Sequence, residues 1–264
     1  MGTYTISNQK LEIEVHKIIQ YLAAAGNSFL PKKQDDSHTN LKSLTSCGCL
    51  TTRPLNKNGD VLAFSYSSFT LEWWIHAGDK IKLPLDGITH NEIVKWIVER
   101  ARNNEIEKPF TAQMHYELPY KPVDDYYTFH LENKLRLTEI MHYRILAHLA
   151  LEDTLENLTP HTEIRVWPHH FDIASLYTLN KQKQHVIGLG MAIPDTISKH
   201  FYLYVKGYAG EHPVTVSEIS ELDNGRWDSH FNGAILELDN NSTINKAHQF
   251  FKQATHLLKT ESVL

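Results

Sequence analysis

Phe69-Thr70-Leu71-Glu72-Trp73-Trp74-Ile75-His76 decides how the chain is read. In an extended chain, Phe69, Leu71, Trp73 and Ile75 share one face, and Thr70, Glu72, Trp74 and His76 share the other. This is the period-two pattern of a half-buried strand. Immediately upstream, Val61-Leu62-Ala63-Phe64-Ser65-Tyr66 reads as a partner strand, preceded by the hairpin signal Asn58-Gly59 and the short strand Cys49–Thr52. Downstream, Ile81–Leu85 is another short strand. Thr89 then caps a helix with the stripe Ile93, Val94, Trp96 and Ile97, and Glu92 completes a capping box.

Outside this block the signals alternate between helix and strand. Leu11, Val15, Ile18, Ile19 and Leu22 recur at helical spacing, which predicts a helix over 8–25 stopped by Gly26. Residues 31–46 are polar and read as an exposed loop. Thr111–Tyr116 reads as a strand, and Pro119, Pro122 and Asp124-Asp125 mark a connecting loop. A helix is predicted over Leu131–Leu155 with the stripe Leu135, Ile140, Ile145, Leu146, Leu149 and Leu155. The remainder is strand-rich: Ile164–Trp167, Phe171–Leu179, His185–Ile193, His200–Tyr208 and Gly233–Leu238. Ser242 then caps a last helix carrying Ile244, Ala247, Phe250, Phe251, Leu257 and Leu258.

The order is helix, strands, helix, given twice. Ile81–Leu85 followed by Asp86 and Thr89 parallels Ile235–Leu238 followed by Asp239 and Ser242. The expected fold is therefore α+β, with antiparallel sheets and helices packed on them, and an internal duplication of a helix-strands-helix unit. The halves are 1–130 and 131–264, read either as two domains or as one continuous domain.

The chain has 264 residues, enough for a sizeable core, and its 41% hydrophobic and 22% charged content is that of a globular protein. A formal net charge of -5 and a pI near 6.4 give no global attraction to nucleic acid or anionic membranes. The basic runs Lys32-Lys33 and Lys181-Gln182-Lys183 are short and read as solvated loops. No signal peptide is read in Met1–Gln20, no window is apolar enough to span a bilayer, and two cysteines build no disulfide framework. The expected location is the cytoplasm.

Trp167-Pro168-His169-His170-Phe171-Asp172-Ile173-Ala174 is the most distinctive segment. It resembles the Trp-Pro-x-His-Phe-Asp-x-Ala segment of an uncharacterised bacterial protein family, a domain of unknown function. The likeness continues through His185–Gly190, Phe201–Val205 and Trp227 with Phe231-Asn232-Gly233-Ala234. Leu50-Thr51-Thr52-Arg53-Pro54 is similar to a Leu-Thr-Thr-x-Pro element of related domains. His169 departs from the pattern, which often has an acid there, and the chain has its own His-rich stretch at 142–148. The resemblance implies a shared fold and carries no reaction.

Chemistry has to be sought among 17 histidines. His169, His170 and Asp172 form the densest cluster. If the segment is extended, His170 and Asp172 share a face, and His170 would act as a general base oriented by Asp172. The same residues read more readily as ties for a turn through backbone hydrogen bonds. A divalent metal on His169, His170 and Asp172 would need further ligands, with His115, His142 and His148 as candidates, and ligand spacing does not support one. His142 and His148 are six residues apart on one predicted helix and fall on opposite sides. Cys47 and Cys49 match neither a zinc ribbon nor a redox pair and read as small buried side chains. Gly188-Leu189-Gly190 lies in a strand and reads as a place where Trp167 or a ligand packs on the backbone.

Two functions follow. In the first, a small molecule binds at the seam of the halves, lined by Arg53, Trp74, His115, His170 and Asp172, with Tyr204 on an aromatic strand face beside Tyr202, Lys206 and Tyr208. If that site is catalytic, hydrolysis by His170 and Asp172 is the expected reaction. In the second, the chain is a non-catalytic binding or scaffold protein acting through a partner or a second copy.

Overall fold

The computed structural model describes residues 6–76, 78–156, 158–159, 162–182, 184–210, 212–214 and 221–261. Lys183 of the basic run lies outside these. Met1–Met141 with Val166–His169 form one compact unit, and His142–Arg165 with His170–Leu264 form another. The division runs inside a helix, between Met141 and His142. Both sheets are antiparallel, so the fold is α+β.

The first unit begins with α1 (Ile6–Phe29), followed by β1 (Lys42–Leu44), β2 (Cys49–Thr51), β3 (Val61–Ser65), β4 (Thr70–Trp74), β5 (Lys80–Pro84) and α2 (His90–Asn103). The five strands form a meander in sequence order. Register places Leu50, Phe64, Leu71 and Leu83 in one row and Leu62, Trp73 and Ile81 in the next, all on one face. α1 packs on β3 and buries Leu11, Val15, Ile18, Ile19 and Leu22. Each fully buried aliphatic side chain of this kind contributes about 1.5–3 kcal/mol. Gly26 does not stop α1, which continues to Phe29. A Cβ at position 26 would lie 2.6 Å from the His38 carbonyl oxygen, so the glycine answers a close backbone approach. β1 lies within the stretch read as loop, because its three residues carry too little pattern to be recognised. The Thr89–Glu92 capping box forms as expected.

α3 (Lys134–Glu156) leads into β6 (Arg165–Trp167), β7 (Asp172–Asn180), β8 (His185–Ala192), β9 (Tyr202–Ala209), β10 (His212–Pro213), β11 (Arg226–Asp228), β12 (Gly233–Glu237) and α4 (Ile244–Glu261). The seven-stranded sheet has the order β11-β12-β9-β8-β7-β6, with β10 paired to β9. Setting β10 and β11 aside, β6-β7-β8-β9-β12 is again a five-strand path ended by a helix, as β1 to β5 is by α2. The face carrying Ile187, Leu189, Leu203, Val205 and Ala234 is fully buried, and α4 packs on β8, β9 and β12. Thr243 rather than Ser242 caps α4, since the Lys246 amide donates to Thr243 Oγ1 at 3.3 Å, while the Ser242 hydroxyl bonds Asp239.

On α3 the expected stripe holds at Ile140, Leu146 and Leu155, which are buried, and is rotated elsewhere. Leu135 is 83% exposed and Ile145 and Leu149 are half-buried, while Leu137, Tyr143, Ala147 and Leu151 are buried. Two arginines are buried on the same helix. Arg136 pairs with Glu12 at 2.9 Å, and Arg144 donates to the Phe171 carbonyl at 2.8 Å with its guanidinium over the Phe171 ring. Among the described residues, no helix is long and apolar enough to cross a membrane.

Glu72 sits on the other face of the first sheet and is only 3% exposed. It accepts from the Thr70 hydroxyl at 3.0 Å and the Trp74 indole N–H at 2.8 Å, and Lys82 lies 3.3 Å away. Burial alone would raise its pKa, but these donors outweigh it and hold the carboxyl below its usual range. A depressed carboxyl stabilises the fold above its unfolded pKa, and that stability is lost as pH falls through the folded value. Glu72→Gln should therefore cost about 1–3 kcal/mol near neutral pH, and the difference from the parent should shrink on acidification below the carboxylate range. Denaturant melts at several pH values measure both effects.

Candidate functional site

In the first unit, residues 108–127 run antiparallel along α1 as a strap rather than pairing with the sheet. Lys108 Nζ donates to the Phe29 carbonyl at 2.9 Å, and the Thr111 amide donates to Ser28 Oγ at 3.0 Å. The Tyr116 hydroxyl donates to Gln20 at 2.6 Å, Tyr120 meets His16 Nδ1 at 3.2 Å, and the Tyr127 hydroxyl donates to Glu14. Thr111–Tyr116 is therefore not a strand. Its polar groups bond helix side chains, and Pro119 and Pro122 keep the segment irregular.

Between the strap, α1 and the start of α2 lies a cleft of 920 Å³, lined by Lys17, Gln20, Tyr21, His90 and residues 111–118 and 120–123. That volume lies within the range of about 300–1,000 Å³ typical of small-molecule sites. Glu14, Lys17 and Tyr21 occur at helical spacing, one or two turns apart on α1. Lys17 Nζ donates to the Tyr127 hydroxyl at 3.0 Å and lies 4.1 Å from that ring's centre. The result is a chain from ammonium to phenol to carboxyl. Burial is the largest influence on each of these groups. It raises the Glu14 carboxyl and the Tyr127 phenol and lowers the Lys17 ammonium, bringing acid and base toward one another. Glu14 Oε2 is buried without a hydrogen-bond partner.

His90 stands beside this chain, with Nδ1 2.7 Å from the Tyr21 hydroxyl. Burial lowers the imidazole pKa and raises that of Tyr21, so the neutral ring accepts a hydrogen bond from the phenol at Nδ1. That assignment leaves the hydrogen on Nε2 as a donor, on a ring that is part of the cleft lining. Burial also pushes Tyr120 up to about 12. The cleft thus combines aromatic surface with a small number of oriented donors.

The residues singled out from sequence are distributed between the two units. Arg53 Nε donates to the Ser37 carbonyl at 3.1 Å, and His115 Nε2 lies 3.0 Å from Asp36, so both tie the 35–38 turn. His115 also lines the cleft. Trp74 holds Glu72 and is covered by Lys80, whose Nζ is 3.7 Å from the ring centre. In the second unit, Asp172 and Tyr204 come together. The Tyr204 hydroxyl donates to Asp172 Oδ2 at 2.6 Å across β8, where Gly190 stands opposite Tyr204.

Burial raises the Asp172 carboxyl despite Tyr204 and the nearby charges of His170 and Arg144, and Oδ1 is buried without a partner. The Trp167–Asp172 segment is a hairpin turn rather than an extended strand, with Phe171 at φ 56°, and His170 is exposed within it. His169 packs edge-on against Trp167 and beside Tyr116. Among the described residues, no three His, Cys, Asp or Glu side chains converge as a metal site requires. Leu176 and Tyr208, not Trp167, lie nearest Gly188, while β7 backbone crowds Gly190. Cys47 and Cys49 are free thiols, and burial pushes Cys49 up to about 12.

No family model, curated protein or solved structure matches the chain.

The sequence reading missed Glu14, Lys17, Tyr21, His90 and the strap tyrosines. The signal available for them is a second, polar stripe on α1, but its partner segment carries no period of its own. Tyr127→Phe should move the Glu14 carboxyl further above its usual range, because the phenol is the strongest group lowering it. Carboxyl-carbon NMR across a pH titration tests this, and an unchanged Glu14 midpoint would count against the ammonium–phenol–carboxyl chain.

Proposed function

We propose that this protein binds a small organic molecule in the cleft between α1 and the strap. The observation carrying this reading is the Glu14–Tyr127–Lys17 chain beside the Tyr21–His90 pair. Shifted ionisable groups collect at sites that act on ligands, and here Lys17, Tyr21 and His90 line the concave surface, with Tyr127 and Glu14 continuing the chain from Lys17 outside the lining. A ligand with a flat apolar body and a carbonyl or carboxylate edge suits this lining. The tyrosines offer faces for the body, and His90 Nε2–H and Lys17 offer donors for the edge. The same reading takes the chain to share the fold of the uncharacterised bacterial family that its Trp167–Ala174 segment resembles. It also places the chain in the cytoplasm, which two free thiols support.

A second reading keeps hydrolysis by His170 and Asp172. What favours it is the buried Asp172 carboxyl, raised toward neutrality and with one oxygen unpartnered, as a general acid or base requires. Turnover of ester or phosphodiester probes that survives Asp172→Asn would remove it.

The binding reading is tested with a fragment library screened against the full chain by ligand-observed NMR. Ala112 lines the cleft, and Ala112→Trp fills it. Fragments that bind the parent should lose at least about tenfold in affinity against this variant while its melting curve is retained. Fragments that bind both proteins equally would place the ligand elsewhere.

A further inference from the structure

A second site lies in the other unit, where α4 meets the end of α3. A pocket of 360 Å³ there is lined by Thr154 from α3 and by His248, Lys252, Thr255, His256 and Lys259 from α4. On α4 these residues recur at three- and four-residue spacing, with Thr255 and His256 adjacent, and so share one broad helix face. Two ammonium groups and two imidazoles line the pocket, and no carboxylate does. Asp153 lies 2.9 Å from His248 Nδ1 and outside the lining. Lys252 has no acidic partner among the described residues, and Lys259 Nζ rests 5.1 Å from the centre of the Tyr177 ring.

Thr255 supplies an independent observation. A helical threonine ordinarily satisfies its hydroxyl on the carbonyl one turn back. Thr154 does so, donating to the Ala150 carbonyl at 2.7 Å. Thr255 is 3% exposed, yet its Oγ1 is buried and has no hydrogen-bond partner. A buried orphan hydroxyl costs about 1–3 kcal/mol unless something completes it. Here it stands at the wall of a pocket whose charges are all positive or neutral.

We propose that this pocket binds the phosphate or diphosphate group of a small soluble metabolite. Lys252 and Lys259 act as point charges on its oxygens, and the Thr255 hydroxyl donates to one of them. The volume is near the lower end of small-molecule sites, which suits a compact phosphorylated compound rather than a polymer lying along an extended track. The assignment is independent of the cleft in the first unit.

Pyrophosphate is the probe, titrated into the full chain by calorimetry in phosphate-free buffer, with inorganic phosphate and sulfate in parallel. Saturable 1:1 binding of pyrophosphate, tighter than sulfate, is expected. Lys252→Glu with Lys259→Glu should abolish it, and Thr255→Val, which keeps the side chain's shape, should weaken it about tenfold without lowering the melting temperature. The cleft-filling Ala112→Trp should leave it unchanged, which separates this site from the proposed function. Absence of pyrophosphate binding, binding that survives the double charge reversal, or sulfate binding as tight as pyrophosphate would each overturn the proposal. Thr255→Val binding equal to the parent would overturn the hydroxyl's part in it. Binding only to vesicles carrying phosphoinositide headgroups, with none to pyrophosphate, would overturn the soluble ligand.

Discussion

The first unit depends on a single long helix having to satisfy two opposite faces. α1 buries its apolar stripe on the meander, where Leu50, Phe64, Leu71, Leu62 and Trp73 offer a continuous apolar surface. Its other side carries His16, Lys17, Gln20 and Glu14, which no hydrophobic core can accept. The strap resolves the conflict by bringing the hydroxyls of Tyr116, Tyr120 and Tyr127 to them in turn. The Pro168 carbonyl, outside the strap, adds an acceptor 2.8 Å from both His16 Nε2 and Gln20 Nε2. Covering the polar stripe removes it from water without filling the space between, so the cleft and the shifted Lys17 ammonium in its wall have one origin.

A second recurring constraint is the hairpin turn. The β1–β2, β3–β4, β6–β7 and β11–β12 connections each have four residues, and the last of each, Gly48, Phe69, Phe171 and Asn232, has a positive φ. A left-handed residue at this position matches the twist of the strands that follow. It is readily adopted by glycine and asparagine and costs more for phenylalanine, about 1–2 kcal/mol. Phe69 and Phe171 are 2% and 1% exposed, so ring burial offsets that cost. The turn at Phe171 also sets what Asp172 can do. It starts β7 on the face that Tyr204 crosses, and it leaves His170 in the exposed turn rather than on a strand beside the carboxyl.

The residues expected to line one site belong to different units. Arg53, Trp74 and His115 belong to the first unit, and each has a local duty there, to Ser37, Glu72 and Asp36 respectively. Tyr204 and Asp172 belong to the second, two strands apart with β8 between them. Their meeting rests on a pairing of three strands and on a glycine, Gly190, at the crossing.

Whatever depends on neighbours within a few residues was determined by the sequence alone. The apolar stripe of α1, the alternating faces of β4, the capping box at Thr89 and Glu92, the buried Cys49 and the α+β class all follow from period and local chemistry. Tertiary structure decided what depends on partners far along the chain. It carried α1 past Gly26, rotated α3 so that Leu135 faces outward while Arg136 and Arg144 are buried, and turned 111–116 from a strand into a strap. It also gathered Lys17, Tyr21 and His90 around one cleft and joined Glu14 to Lys17 through Tyr127. The reason is physical: helical and strand periods record which face is apolar, whereas a buried charge is tolerated only where a distant group completes it, and no local pattern names that group.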